Sequence, residues 1–276
     1  MQLGNTEIHV VNDGITYSDG GGVYGLVPRV LWEAITPPDD KNRVQTTLNC
    51  LLVVSQGKKI LVDNGLGSKF DAKAEANWGR TGGSRLIAEL GRLGVRPEDI
   101  DIVINTHLHA DHCGGNTRRE GSEIIPTFPR AAYWIQRLEW ADASFPNERT
   151  QGTYFAENFR PLGDQARLVS GDVRVTDEVR CIITPGHTRS HQSVLIESQG
   201  QKVLFLADMA GRSVYMERLA WVPSYDLDPM QSIETKRRIR DWAVEEQALL
   251  IFQHDPLVTM GWLRKDGDRY RIEKVG

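Results

Sequence analysis

Cysteine is scarce and scattered: Cys50, Cys113 and Cys181 are the three in 276 residues, and no two share a CxxC spacing. A disulfide framework and a cysteine-built zinc finger are therefore excluded, and a reducing compartment is the natural setting. Long apolar runs are missing too. The longest, such as residues 51–54 and 248–252, fall far short of the about 20 residues that cross a bilayer. The opening MQLGNTEIHVV has no basic start followed by an apolar stretch, so no export leader is read there. A soluble, cytoplasmic protein with no membrane partner is expected. Charge of one sign is also missing. The 33 basic and 37 acidic side chains leave a formal net charge of −4, which gives no global field to hold a nucleic acid. Internal repeats, low-complexity tracts and a Pro/Ser-rich linker are absent as well, so residues 1–276 read as a single domain.

What is present is a supply of short β-rich runs, at 7–11, 48–55, 58–62, 101–106, 131–136, 178–184, 191–198, 202–207 and 248–253. Helices fall between them. Asp228-Pro229 is a start signal for one that runs to about Gln247, with Ile233, Ile239, Trp242 and Ala243 as its buried stripe. Leu86, Ile87, Leu90 and Leu93 place another over residues 84–93, stopped by Gly94. Two stretches, 12–46 and 64–83, read as irregular insertions beside the functional site. Strands and helices without regular βαβ alternation predict an α/β (α+β) fold of layered sheets flanked by helices.

The chemistry is concentrated in one string after the run DIVINT: His107-Leu108-His109-Ala110-Asp111-His112. Residues two apart just past a strand point the same way, so His107 and His109 can converge on one ion. The turn beyond lets Asp111 and His112 face a second. His187 in TPGH, Asp208 in LFLAD and His254 in IFQHD each sit just past an apolar run, where a rigid backbone can bring side chains together in a cleft.

HLHADH, PGHT, the Asp of FLAD and the late His of QHDP together resemble the metallo-β-lactamase superfamily. The resemblance implies a four-layer αβ/βα sandwich with a dinuclear centre, usually zinc, with iron, manganese and cobalt as alternatives. It assigns His107, His109 and His187 to the first metal, Asp111, His112 and His254 to the second, and Asp208 to the bridge. Asp63 in ILVDNG resembles the acidic residue that braces the histidine loop, and His191 resembles a histidine that follows the first-site ligand.

Such a centre implies hydrolysis. Two divalent ions, two carboxylates and a bridging hydroxide leave about +1 facing the substrate, and coordination lowers the pKa of water to about 7. Asp111 is the expected catalytic proton acceptor. Residues 20–33, 126–140, 145–159 and 221–229 resemble the branch containing N-acyl homoserine lactonases and some organophosphate hydrolases. A small lactone or carboxylic ester is the expected substrate. The alternatives are a phosphotriester or phosphodiester, a glutathione-type thioester, and iron-dependent oxidoreductase chemistry on the same fold. Tyr24, Trp32, Phe145, Tyr154, Phe155 and Tyr215 are the candidate pocket aromatics. Two departures from the family stand out: Met209-Ala210-Gly211 follow Asp208 where lactonases often have a tyrosine, and Arg189-Ser190 replace the usual Pro-Gly. A homodimer is compatible with the sequence.

Overall fold

Burial with a period of two sorts the strands into sheets and each sheet into two faces. The computed structural model describes residues 1–275. In chain order these form β1 (Gln2–Leu3), β2 (Thr6–Asp19), β3 (Arg43–Ser55), β4 (Lys58–Val62), β5 (Ile102–Ile104), β6 (Thr117–Glu120), β7 (Glu123–Pro126), β8 (Ala132–Gln136), β9 (Ala166–Val169), β10 (Val173–Arg174), β11 (Val179–Ile183), β12 (Gln192–Ser198), β13 (Gln201–Phe205), β14 (Leu249–Ile251), β15 (Met260–Asp266) and β16 (Arg269–Lys274). One sheet has the order β1-β2-β3-β4-β5-β8-β9, the second runs from β10 to β16 in sequence order, and β6 and β7 pair separately.

Along β3, Leu51 and Val53 enter one core cluster while Cys50 and Leu52 enter another. The second sheet does the same: Val203 and Phe205 of β13 join Leu51 and Val53, whereas Leu204 faces the opposite way. The shared cluster is the layer between the sheets. The outer face of the first sheet is covered by the helix Leu86–Arg92 through Leu86 and Leu90. Ile239 and Ala243 of the helix Pro229–Glu245 cover that of the second. The result is an αβ/βα sandwich, with each buried Leu, Ile, Val or Phe contributing about 1.5–3 kcal/mol relative to exposure.

The helix at 229 begins where the sequence signals it, with the Asp228 carboxylate accepting from the Gln231 amide. Its buried stripe also takes in Ser232, Thr235 and Lys236, whose ammonium donates to the Leu219 and Trp221 carbonyls. The helix expected over 84–93 is shorter, and Ile87 and Leu93 are exposed. The expectation of an irregular 12–46 needs correcting. β2 runs on to Asp19 and β3 starts at Arg43, paired as Ile15↔Thr47 through Asp19↔Arg43 past a bulge after Asn12. These strands are polar, so no apolar alternation announces them; the ladder with the partner strand holds them. Short helices, Gly20–Tyr24 and Arg29–Trp32, join the two. Between 64 and 83 the chain is loop around the helix Ala72–Asn77, clasped by the buried Asp13, which accepts from Gly67, Ser84, Arg85 and Leu86.

β4 and β5 are parallel, as are β13 and β14, so each pair delivers its carboxyl ends to one rim. Among the described residues no helix is long and apolar enough to cross a membrane.

Candidate metal centre

The seven candidate donors all follow strand ends. His107, His109, Asp111 and His112 lie just past β5, His187 past β11, Asp208 past β13 and His254 past β14. The loop after β5 is held by buried amides: Asn105 and Asn116 exchange hydrogen bonds, and Asn64 donates to Asn116. His109 then opens the short helix Ala110–Cys113, which carries Asp111 and brings the His112 ring back to within 3.9 Å of His107, centroid to centroid.

The structure brings all seven together. Their ligand atoms form three groups, each within 4.8 Å: His107 with His109 and His187, His107 with His112 and Asp208, and Asp111 with His112 and His254. Asp208 stands between the sides. Its Oδ2 lies 3.1 Å from His187 Nε2 and 3.4 Å from His112 Nε2, while its Oδ1 lies 2.9 Å from His254 Nε2. Asp111 Oδ2 is 3.7 Å from both His112 Nε2 and His254 Nε2.

Outer partners fix which nitrogen of each ring faces in. His112 Nδ1 donates to Asp63 at 3.0 Å, His187 Nδ1 to Asp226 at 2.8 Å and His254 Nδ1 to the Thr47 carbonyl at 2.7 Å. Thr106 Oγ1 donates to Asp63 and so accepts from His107 Nδ1 at 3.1 Å. The inward nitrogens are left with bare lone pairs. Those of His112 and His254 face each other at 3.2 Å, and His107 Nε2 and His187 Nε2 each lie 3.0 Å from His109 Nδ1. Asp208 Oδ1, though buried, has no hydrogen-bond donor. Lone pairs crowded in this way repel unless cations lie among them, and imidazole with carboxylate is a donor set that suits zinc and its first-row neighbours.

Electrostatics divide the rings into two kinds. Burial, then the surrounding rings, pushes His107 and His109 well below the usual imidazole range. Burial opposes charge on His112 and His187 as well, but Asp208 with their other carboxylate neighbours outweighs it and shifts both upward. Burial likewise opposes ionisation of Asp208, yet His254, His112 and His187 hold it well below the ordinary carboxylate value. His191 is pushed down to about 3 by burial, then by His187. It donates from Nδ1 to Thr184 and accepts the Asp208 amide at Nε2, 3.2 Å away.

Asp226 escaped the sequence reading, as did Glu139. This buried carboxylate accepts from the Leu108 amide, Tyr154, Thr188 and Ser190, and so ties the loops carrying His107 and His187 together. No spacing rule marks either residue. Arg189 and Ser190, which stand where Pro-Gly was expected, have partners of their own: Arg189 pairs with Asp142 and Ser190 with Glu139.

The aromatic candidates scatter, which corrects the pocket reading. Tyr24 and Trp32 stack in the core with ring centroids 5.0 Å apart. Phe145 is 85% exposed, and Phe155 packs on Phe70. Tyr154 lies 4.9 Å behind the His109 ring. Tyr215 lines the cavity beside the donors, its hydroxyl donating to Val23 O at 2.5 Å. Tyr225, Trp78 and Arg149, which the sequence did not single out, line the wider cleft of about 740 Å³ outside. Aromatic identity alone does not tell core from wall.

Two triads of potential metal donors with one carboxylate between them, on the rim of an αβ/βα sandwich, define a class of folds by their architecture. Residues 45–254 match the Metallo-beta-lactamase superfamily. The chain belongs to that superfamily. It is 28% identical over 237 residues to an N-acyl homoserine lactonase of Bacillus cereus, covering 78% of this chain and 88% of the relative. A probable metal-dependent hydrolase from Staphylococcus aureus superposes with a TM-score of 0.92 at 29% identity over the full length of both chains. AidC, a dizinc quorum-quenching lactonase solved with a product, matches in fold with a TM-score of 0.84 at 20% identity, covering all of this chain and 96% of that one.

Proposed function

We infer that the chain is a cytoplasmic, single-domain hydrolase that opens a small lactone or carboxylic ester at a dinuclear centre, with zinc as the metal. The observation that carries this is Asp208, a carboxylate 15% exposed whose Oδ2 lies within 3.4 Å of both His187 and His112 while its Oδ1 lies 2.9 Å from His254. In this reading His107, His109 and His187 hold one cation, Asp111, His112 and His254 the other, and Asp208 both. Bound there, two divalent ions supply a nucleophilic water at neutral pH and polarise the carbonyl oxygen.

The remaining roles belong to the chain. Asp63, Asp226 and the Thr47 carbonyl hold Nδ1 of their rings outward, so that Nε2 of each faces the centre. Asp111, partly open to the cleft, accepts the proton of the attacking water and passes it to the leaving alkoxide. The scissile bond lies in the wider cleft over Asp111 and Asp208, walled by Tyr225. The lactonase relatives support the substrate class, and the free, buried cysteines fit a reducing compartment.

Elemental analysis should find two metal equivalents per chain. The metal-loaded protein should open lactones, and Asp111→Asn should keep the fold while losing about 10²–10⁴ in kcat. Turnover of phosphotriesters with no action on lactones or simple esters would sink the substrate assignment.

A further inference from the structure

A buried guanidinium stands beside the donors without a carboxylate to neutralise it. Arg212 is 3% exposed. Its Nη2 donates to Gln45 O at 2.5 Å and Thr46 Oγ1 at 2.9 Å, while Nε and Nη1 have no hydrogen-bond partner among the described residues. No carboxylate oxygen among them lies within the 4.0 Å of an ion pair. The Tyr24 ring, 5.9 Å from Cζ, is at the outer limit of cation–π attraction. The contrast is Arg80, equally hidden, which is neutralised by Glu75 and Asp13. A buried charge left unpaired is costly, and two hydrogen bonds to neutral oxygens could be made by an uncharged side chain.

What Arg212 lines is a cavity of about 70 Å³. Asp111, Asp208, His254, Thr46 and Tyr225 share its lining, and on another flank Arg212 borders a second cavity of about 320 Å³ with Glu217 and Asp255. The backbone there is pinned, since Ser213 donates through its amide and its hydroxyl to Asp255, next to His254. The charge is therefore held in place next to the reaction centre, in a space that admits a small polar group and little more.

We propose that Arg212 is a specificity-determining residue that receives a carboxylate of the substrate, so that the preferred lactone or ester is an anion carrying a free carboxylate beyond its scissile bond. This rests on the hydrolase reading above. A carboxylate entering the cavity supplies the missing counter-charge, and a neutral analogue leaves the guanidinium as uncompensated as before.

The test is a matched pair of γ-lactones, 5-oxotetrahydrofuran-2-carboxylate and its primary amide, assayed on wild type, Arg212→Lys and Arg212→Met. Wild type should favour the carboxylate by about tenfold or more in kcat/KM, mainly through KM, and Arg212→Met should bring the ratio to about one, with Arg212→Lys between. No preference in wild type, or equal losses on both lactones in Arg212→Met, overturns the proposal. If neither lactone is opened, the hydrolase reading fails on its own. Calorimetry with the hydroxy acid 2-hydroxyglutarate and metal-loaded protein then decides: binding about tenfold weaker in Arg212→Met supports the role, and equal binding refutes it.

Discussion

The floor of the cleft and its wall are built on different terms. On the floor, each donor sits just past a strand end and most have a buried partner behind them: Asp63 behind His112, Asp226 behind His187, the Thr47 carbonyl behind His254. The wall is assembled from segments that meet by tertiary contact, such as Tyr225, half exposed, and Trp78 on the loop clasped by Asp13. The floor tolerates no freedom because ligand atoms must converge. The wall needs only to exclude water and to shape a space.

The largest test of this contrast is removal of a donor. His112→Ala combined with His254→Ala should abolish one metal equivalent, measured by elemental analysis, and with it nearly all turnover; two full equivalents in that variant would break the distinction. Next comes a partner behind the floor. Asp226→Ala should weaken metal retention about 10–100-fold in chelator competition, because His187 loses the acceptor that fixes its tautomer.

The support of the wall is tested by pH. Burial lowers the Lys236 ammonium to about 8, so between pH 8 and 10.5 the unfolded chain binds the proton that the folded one has lost. Stability should therefore rise with pH across that window, by up to about 3 kcal/mol from this group, and Lys236→Met should flatten the rise in urea titrations. An unchanged slope would show that Lys236 does not strain the segment it anchors. The smallest effect is expected at Phe145, where Phe145→Ala should move the melting free energy by no more than about 0.5 kcal/mol, since the ring lies in solvent.

The same contrast explains what could be read in the residues. That HLHADH meets His187, Asp208 and His254 was readable because side chains able to bind a metal are of few types and these sit just past apolar strands, and the layered fold followed from apolar runs of strand length. Polar strands such as Ile15 to Asp19 were not, because cross-strand pairing forms them without leaving a periodic trace. Asp226 and Glu139 were missed because a carboxylate acting from behind obeys no spacing. Tyr24 and Trp32 misled because a large ring is as useful between layers as beside a ligand.

Gly211 shows how little slack the arrangement has. A Cβ there would stand 3.0 Å from His254 Cδ2 and 3.3 Å from Asp208 Oδ1. Alanine would ask both side chains to give by a few tenths of an ångström. A position that offers no atom of its own thus sets how closely two of the gathered side chains can stand.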